Sequence, residues 1–378
     1  MQFRCKLFCY MILMVVCITV LLPGNSRAVE YDFRGQLSGW TIQSRHDDAW
    51  GNSSGLRYIP RLILNQPIND ELFFDTEVSL NGFLAANSEE LREKTELELY
   101  RFKLRFATTQ TETRIGLQKI NFGPSMLLRS LRWFDRLDPR DPLQMTDGVY
   151  ALRFRYNALN NANLWLWGLY GNDDTKGYEA LPTLSEEPEF GGRLQYPVPN
   201  GEVAATFHTR RVDASTANGT DFTENRFALD GRWNVAIGLW FESVLQQQKN
   251  NVLAREWTKM TTLGMDYTFG VGNGLHVLGE HMTAGLSDNP LSWDEDRQYS
   301  ALNMNYPLGY LDTLMAVGYY SWEQGQYYQY LGWQRTYDNM ILNLSLFIYP
   351  QDSNEQSGPG QATMVSGNGG QIMIIFNH

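Results

Sequence analysis

The run Tyr100-Arg101-Phe102-Lys103-Leu104-Arg105-Phe106 sets a basic side chain between apolar ones at every second position. A helix would scatter those charges around its axis. A strand puts Arg101, Lys103 and Arg105 on one face and Tyr100, Phe102, Leu104 and Phe106 on the other. The same parity carries Arg114 in the next run and Arg153 and Arg155 in the one after it, while an earlier run offers Asp75 and Glu77. Neighbours across strands on one face lie about 5 Å apart, so the six cations form one patch, and without partners they would repel. In one reading Asp75 and Glu77 pair with them and stiffen the wall. In the other the patch stays positive and gathers anions, as Arg/Lys rings do in anion pores, with its field focused by low-dielectric walls. Opposed basic and acidic ladders would also orient polar solutes.

A second concentration of chemistry lies between the last two of these runs, at residues 121–147. It holds Arg129, Arg132, Trp133, Phe134, Asp135, Arg136, Asp138, Arg140 and Asp141. Loops of this length are functional or disordered, and Trp133 and Phe134 argue against disorder. Folded inward, Arg132, Trp133, Arg136, Asp138, Arg140 and Asp141 would constrict a channel, with Arg132, Arg136 and Arg140 making bidentate contacts to carboxylate or phosphate. Folded outward, the segment would be a lid held by its own salt bridges.

Strands must position these groups, and alternating runs recur from Tyr31 to Phe376. Their number is about 18, with 16 as the alternative. Short links with turn chemistry, such as Pro199-Asn200-Gly201, alternate with long ones, including residues 43–55, 85–95, 121–147 and 172–189. The fold this predicts is all-β: a transmembrane antiparallel barrel with short periplasmic turns and long extracellular loops. Tyr31, Trp40, Tyr100, Tyr156, Tyr196, Trp233, Tyr267, Tyr306 and Tyr349 lie near run ends and suit interfacial girdles. Acids gather in the long links (Asp47, Asp48, Glu89, Glu90, Asp173, Asp174, Glu186, Glu187, Asp294, Glu295, Asp296). They make a solvated rim, or bridge through divalent cations to lipopolysaccharide phosphates. The ending Ile372, Ile374, Phe376 resembles the last strand that barrel-assembly machinery recognises, although Asn377 and His378 follow the aromatic.

The first 28 residues read as a signal peptide, leaving residues 29–378 as the barrel. Arg4 and Lys6 precede the apolar stretch 7–22, Pro23-Gly24 breaks it, and Ser26-Arg27-Ala28 is a cleavage signal. All three cysteines (Cys5, Cys9, Cys17) fall in this leader. Disulfides, thiol catalysis, covalent haem and thiolate zinc are therefore excluded for the exported chain, and no cofactor or metal site is expected. Removing Arg4, Lys6 and Arg27 takes the formal charge from −11 to −14, which disfavours nucleic acid as a partner. Of His46, His208, His276, His281 and His378, only His276 and His281 share a run, five apart and so on opposite faces. No enzymatic pair is expected from them.

From Arg114 to Arg155 the order is Gly116, Gln118, Phe122-Gly123, then Asp138-Pro139-Arg140-Asp141-Pro142, then Gly148-Val149 and Ala151-Leu152-Arg153. This run resembles outer-membrane porin-like proteins of the alginate-export type and related uncharacterised barrels. The resemblance implies an 18-stranded barrel, and for the alginate exporter a cationic lumen. Together with the charges it leads us to expect an outer-membrane channel for small polar, anionic solutes, surrounded by outer-membrane lipid and lipopolysaccharide. The alternatives are a scaffold barrel sheathing a partner such as a multihaem cytochrome, and a polysaccharide export channel.

Overall fold

The alternation closes on itself as one sheet. The computed structural model describes residues 29–46, 49–87, 92–249, 255–292, 295–350 and 367–378. Its strands are β1 (Glu30–His46), β2 (Ala49–Pro67), β3 (Phe73–Asn87), β4 (Arg92–Ala107), β5 (Thr111–Gln118), β6 (Val149–Asn157), β7 (Asn163–Leu169), β8 (Glu189–Val198) and β9 (Gly201–Val212). They continue with β10 (Phe222–Asn234), β11 (Gly238–Gln248), β12 (Trp257–Phe269), β13 (Leu275–Ser287), β14 (Glu295–Pro307), β15 (Asp312–Ser321), β16 (Gln326–Thr336), β17 (Met340–Ile348) and β18 (Asn368–Asn377). Each strand pairs antiparallel with the next, and β1 pairs with β18, so the 18-stranded sheet is a barrel. Closure gives every strand two neighbours, which a membrane demands because lipid cannot hydrogen-bond an open edge. No helix among the described residues is long and apolar enough to cross a membrane.

Outward positions are apolar and bare, as Leu152, Leu166, Leu194, Leu229, Leu263, Leu346 and Ile374 illustrate. Tyr31, Tyr156, Tyr196 and Tyr267 are exposed at the strand ends beside the short turns, a girdle at one rim. Trp40 departs from that expectation: it points inward and is buried against Phe83, ring centroids 5.6 Å apart. The turns on this rim are tight. Between β8 and β9, Asn200 takes φ 58°, a left-handed geometry that Asn tolerates.

The opposite rim differs from the sequence reading. The stretches 43–55 and 85–95 are not long loops, because β1 and β2 continue pairing up to His46 and Ala49, and β3 and β4 up to Asn87 and Arg92. Over their described residues both are continuous antiparallel pairs. The alternation of grease and charge is weak there, with Trp50 exposed and Ser53 buried. The leader (1–28), Asp47, Asp48, Glu89, Glu90 and Asp294 lie outside the described residues, as does most of the link before β18.

The opening run holds one irregularity. Ser79 pairs with Arg101 but Leu80 pairs with Leu99, so Tyr100 is an extra residue in β4, a β-bulge. Below it, Arg101, Lys103 and Arg105 keep their common face. Above it, the parity resets, and Glu96 and Glu98 pair with Phe83 and Asn81 on the inward side. Phe102 and Leu104 have the outward parity expected, yet both are buried.

Candidate functional site: the lumen and its inner loop

β5 ends at Gln118, about half the length of β4. The chain therefore leaves the wall partway up, and residues 119–148 cross the lumen as an inner loop. Its backbone is received on the far wall by two carboxylates. Glu242 on β11 accepts from the amides of Ser125 and Leu131, both at 2.9 Å. Glu280 on β13 accepts from Met126 (2.7 Å), Leu127 (2.9 Å) and Leu128 (2.5 Å), and from Trp240 Nε1 at 3.1 Å. Thr262 on β12 donates to the Leu128 carbonyl at 2.7 Å and shares a hydrogen bond with Ser130 Oγ. Gly123 (φ 93°) lets the chain approach Glu242 closely, since a Cβ there would strike the carboxylate. Charge-assisted bonds from amides to carboxylate are about twice as strong as neutral ones.

The loop's own charges hold it together. Arg129 and Asp135 are buried and bonded through both guanidinium nitrogens. Arg140 grips Asp138 at 2.8–3.1 Å and lies between the rings of Tyr319 and Tyr349, 5.5 and 5.2 Å from their centres. Burial would raise the Asp138 carboxyl, but the Arg140 guanidinium more than reverses this and holds it low. Asp141 accepts the Leu143 and Met145 amides, and burial pushes its carboxyl up. Arg136 donates to the Thr175 carbonyl and hydroxyl, and Arg132 packs over Tyr178. Trp133 and Phe134 form a buried aromatic core with Phe122, Trp167 and His208. Residues Arg132 to Asp141 are thus inside the barrel, bonded mainly to protein.

A second loop, residues 170–188, also folds inward, which sequence reading did not find. Gly177 (φ 51°) lies directly on the Arg132 carbonyl, leaving no room for a side chain. Lys176 bonds Glu189 at 3.0 Å, and Glu179 bonds Arg226 at 2.8 Å and lies 3.2 Å from Arg210. Glu224 ties Arg210 and Arg226 together at 2.6 Å each, and Arg193 pairs with Asp230 through two bonds. His208 sits within 3.1 Å of Glu189 and 3.3 Å of Trp167 Nε1. A signal for this network was present: Arg193, His208, Arg210, Glu224, Arg226 and Asp230 share the inward parity of β8 to β10.

Below the inner loop, toward the short turns, lies the basic wall. Lys103 meets Glu77 at 2.5 Å, and Arg105 meets Asp75 and Glu112, each at 2.7 Å. Glu112 also receives Arg114 and Arg153, both at 2.9 Å. Arg155 bonds Asn163, and Arg153 and Arg155 both stack on Trp165 at 5.0 Å. Arg101 donates to the carbonyls of Tyr100 and Thr146. Six cations here face three carboxylates, Asp75, Glu77 and Glu112, an excess of three. Asp75 and Glu77 do pair with the ladder, but Glu112, not anticipated from sequence, carries the largest share.

At the end of the loop acids and cations meet. Asp147 stands just before β6, with Glu98 and Asp174 in its field. Its carboxyl is pushed up to about 6, chiefly by burial, against the pull of Arg136. His276 is 3.2 Å from Asp266 and His281 2.9 Å from Ser300, on separate partners. Among the described residues no three His, Cys, Asp or Glu side chains gather as a metal site.

No protein-family model matches the chain, and no curated protein matches it. Solved structures do. The chain is similar to OccAB1 of Acinetobacter baumannii, with TM-score 0.57 and 9% identity over 93% of this chain and 96% of that one. It is similar to OmpF of Salmonella typhi, solved with daunomycin, with TM-score 0.53 and 11% identity over 92% and 97%. A loop-L8 deletion mutant of OmpT, an outer membrane protein of Vibrio cholerae, gives TM-score 0.51 and 14% identity over 93% and 100%. At such identities the likeness is one of fold: the chain is a closed antiparallel barrel similar to those of these outer-membrane proteins. The resemblance to alginate exporters gains nothing from these neighbours.

Proposed function

We propose that the protein is an outer-membrane channel for small polar solutes, with a preference for anions. The observation that carries this reading is the excess of cations on the inward faces of β4, β5 and β6. Walls of low dielectric focus that field on any solute beneath the loop. Residues 1–28 serve as the export signal in this reading. Lipid and lipopolysaccharide surround the barrel, and the assembly machinery inserts it by its last strand.

Two alternatives are less well supported. A sheath around an inserted cytochrome needs an empty bore, and residues 119–148 and 170–188 occupy this one. A polysaccharide exporter, the finer implication of the sequence resemblance, needs a continuous wide groove for a polymer, and the same loops stand across it.

Reversal potential under a salt gradient across a planar bilayer tests the channel and its sign together. The wild type should conduct with anion preference. Replacing Lys103, Arg114 and Arg155 with Gln removes the excess of three and should bring the reversal potential to zero or to the cation side. An unmoved potential would remove the basic wall from the mechanism.

A further inference from the structure

The inner loop meets the wall in two unlike ways. Toward β11, β12 and β13 it is held by directional bonds to Glu242, Thr262 and Glu280. Toward β1, β3 and β15 to β18 it presents Leu127 and Leu143 to an inward-facing cluster that includes Trp40, Phe83, Tyr330 and Met373. Beside them Met145 Sδ lies 3.0 Å from the Arg57 guanidinium.

Polar side chains lie in that second seam and are dry. Ser38, Ser79 and Asn343 have inward parity: Ser38 pairs with Ile375 and Arg57, Ser79 with Arg101, and Asn343 with Met373. They are 1%, 2% and 4% exposed. Ser38 Oγ, Ser79 Oγ and Asn343 Oδ1 have no hydrogen-bond partner. Side chains facing a barrel lumen ordinarily meet water. Leaving a buried acceptor unpaired is a standing cost of the closed seam, and water or a solute hydroxyl entering it would recover that cost. The loop carries two unpaired atoms of its own, Ser125 Oγ and Trp133 Nε1, but Glu242 and Glu280 fix its backbone on that side. Opening the anchored edge would strip amides from two buried carboxylates. Opening the apolar edge would release Met145 from Arg57 and Arg140 from Tyr319 and Tyr349, but it strips no amide from a carboxylate.

We propose that solutes cross along this seam. The loop stays anchored on Glu242 and Glu280, Leu127 and Leu143 form an apolar gate, and Ser38, Ser79 and Asn343 line the opened path. Hydroxyl-bearing anions suit it best, because the path offers hydrogen bonds along its length and ends above the basic wall. The proposal rests on the channel reading and locates its route.

The chain has no cysteine after Cys17, so single cysteines report cleanly. Ser38→Cys, Ser79→Cys and Asn343→Cys would be placed in planar bilayers and exposed to a sulfonate-bearing methanethiosulfonate. Thr262→Cys is the control on the anchored edge, and heat-shifted electrophoretic mobility verifies that each variant is folded. Modification at the three seam sites should cause a lasting loss of current, with Thr262→Cys unaffected. Combining Leu127→Ala and Leu143→Ala with Ser38→Cys should speed modification about tenfold. Current in the wild type with unmodified seam sites, or loss of current only in Thr262→Cys, would overturn the seam. An absence of wild-type current would overturn the channel reading and the seam with it.

Discussion

Arginine serves opposite ends in two parts of this lumen. In the inner loop, Arg129 and Arg140 each meet a carboxylate of their own, Asp135 and Asp138, and their charge is spent within the protein. On the basic wall, Arg105, Arg114 and Arg153 share Glu112, so their charge is only partly neutralised. The difference comes from register. A strand fixes which residues stand side by side, and β4, β5 and β6 bring cations together faster than they bring acids. A loop can bend until each charge finds a partner. Arginine in a candidate channel is therefore informative only once the carboxylates at its own level have been counted.

The largest effect should come from breaking a loop pair. Asp135→Ala would leave the Arg129 guanidinium buried without its carboxylate. Removing one partner of a buried pair costs about 3–5 kcal/mol. Urea unfolding in lipid vesicles should register a loss of that order. A loss below about 1 kcal/mol, typical of exposed pairs, would mean that the loop charges are no more spent than those of the wall.

Glu112→Gln is the matching change on the wall, and here the main effect should be on selectivity. The excess of three cations becomes four. Reversal potential should move further to the anion side, by an amount similar to and opposite from that of Arg155→Gln. A shift toward cations would show that Glu112 does not face the solute path.

Smaller, and specific to pH, is the effect of Asp147. Its carboxyl titrates near pH 6 in the folded chain, above its usual 3.8, because burial disfavours the charge and Glu98 adds to it. The folded state thus binds the proton more tightly than the unfolded one. The resulting stabilisation is fully present below about pH 4 and is lost as pH rises through 6. Across the same window the carboxylate charge at the end of the loop disappears as pH falls, so anion preference should increase on acidification. Asp147→Asn should abolish that step and hold the low-pH selectivity at pH 7.

Much of this was legible in the sequence because a strand's period of two is simple to read. The closed antiparallel barrel, with about 18 strands and 16 as the alternative, and the inward face shared by Arg101, Lys103 and Arg105 could be read from alternation and the lengths of the links. The bulge at Tyr100 did not, since it exists only in the pairing of β3 with β4. Nor did the roles of Glu242 and Glu280. Each is one acid on an inward face, indistinguishable in sequence from any acid that meets water. Their partners are backbone amides, which carry no residue signature. Trp133 and Phe134 did mark residues 121–147 as folded. The loop at 170–188 showed acids that looked like a solvated rim, and only the structure reveals Glu179 turned onto Arg210 and Arg226.

The smallest effect should lie at the rim, and it sharpens the comparison from outside both regions. Arg255 and Asp288 pair there, with side chains 32% and 63% exposed. Water screens such a pair, and ordering two long side chains offsets most of its attraction, so its net worth is about 0–1 kcal/mol. Arg255→Ala should change urea stability by less than that and leave the reversal potential where it was, since its charge lies away from the basic wall and is screened over about 8 Å at physiological salt. Equal shifts in reversal potential from Arg255→Ala and Arg155→Gln would mean that net charge anywhere on the barrel sets selectivity. The sharing of Glu112 by three guanidinium groups would then be a structural detail with no bearing on which ions pass.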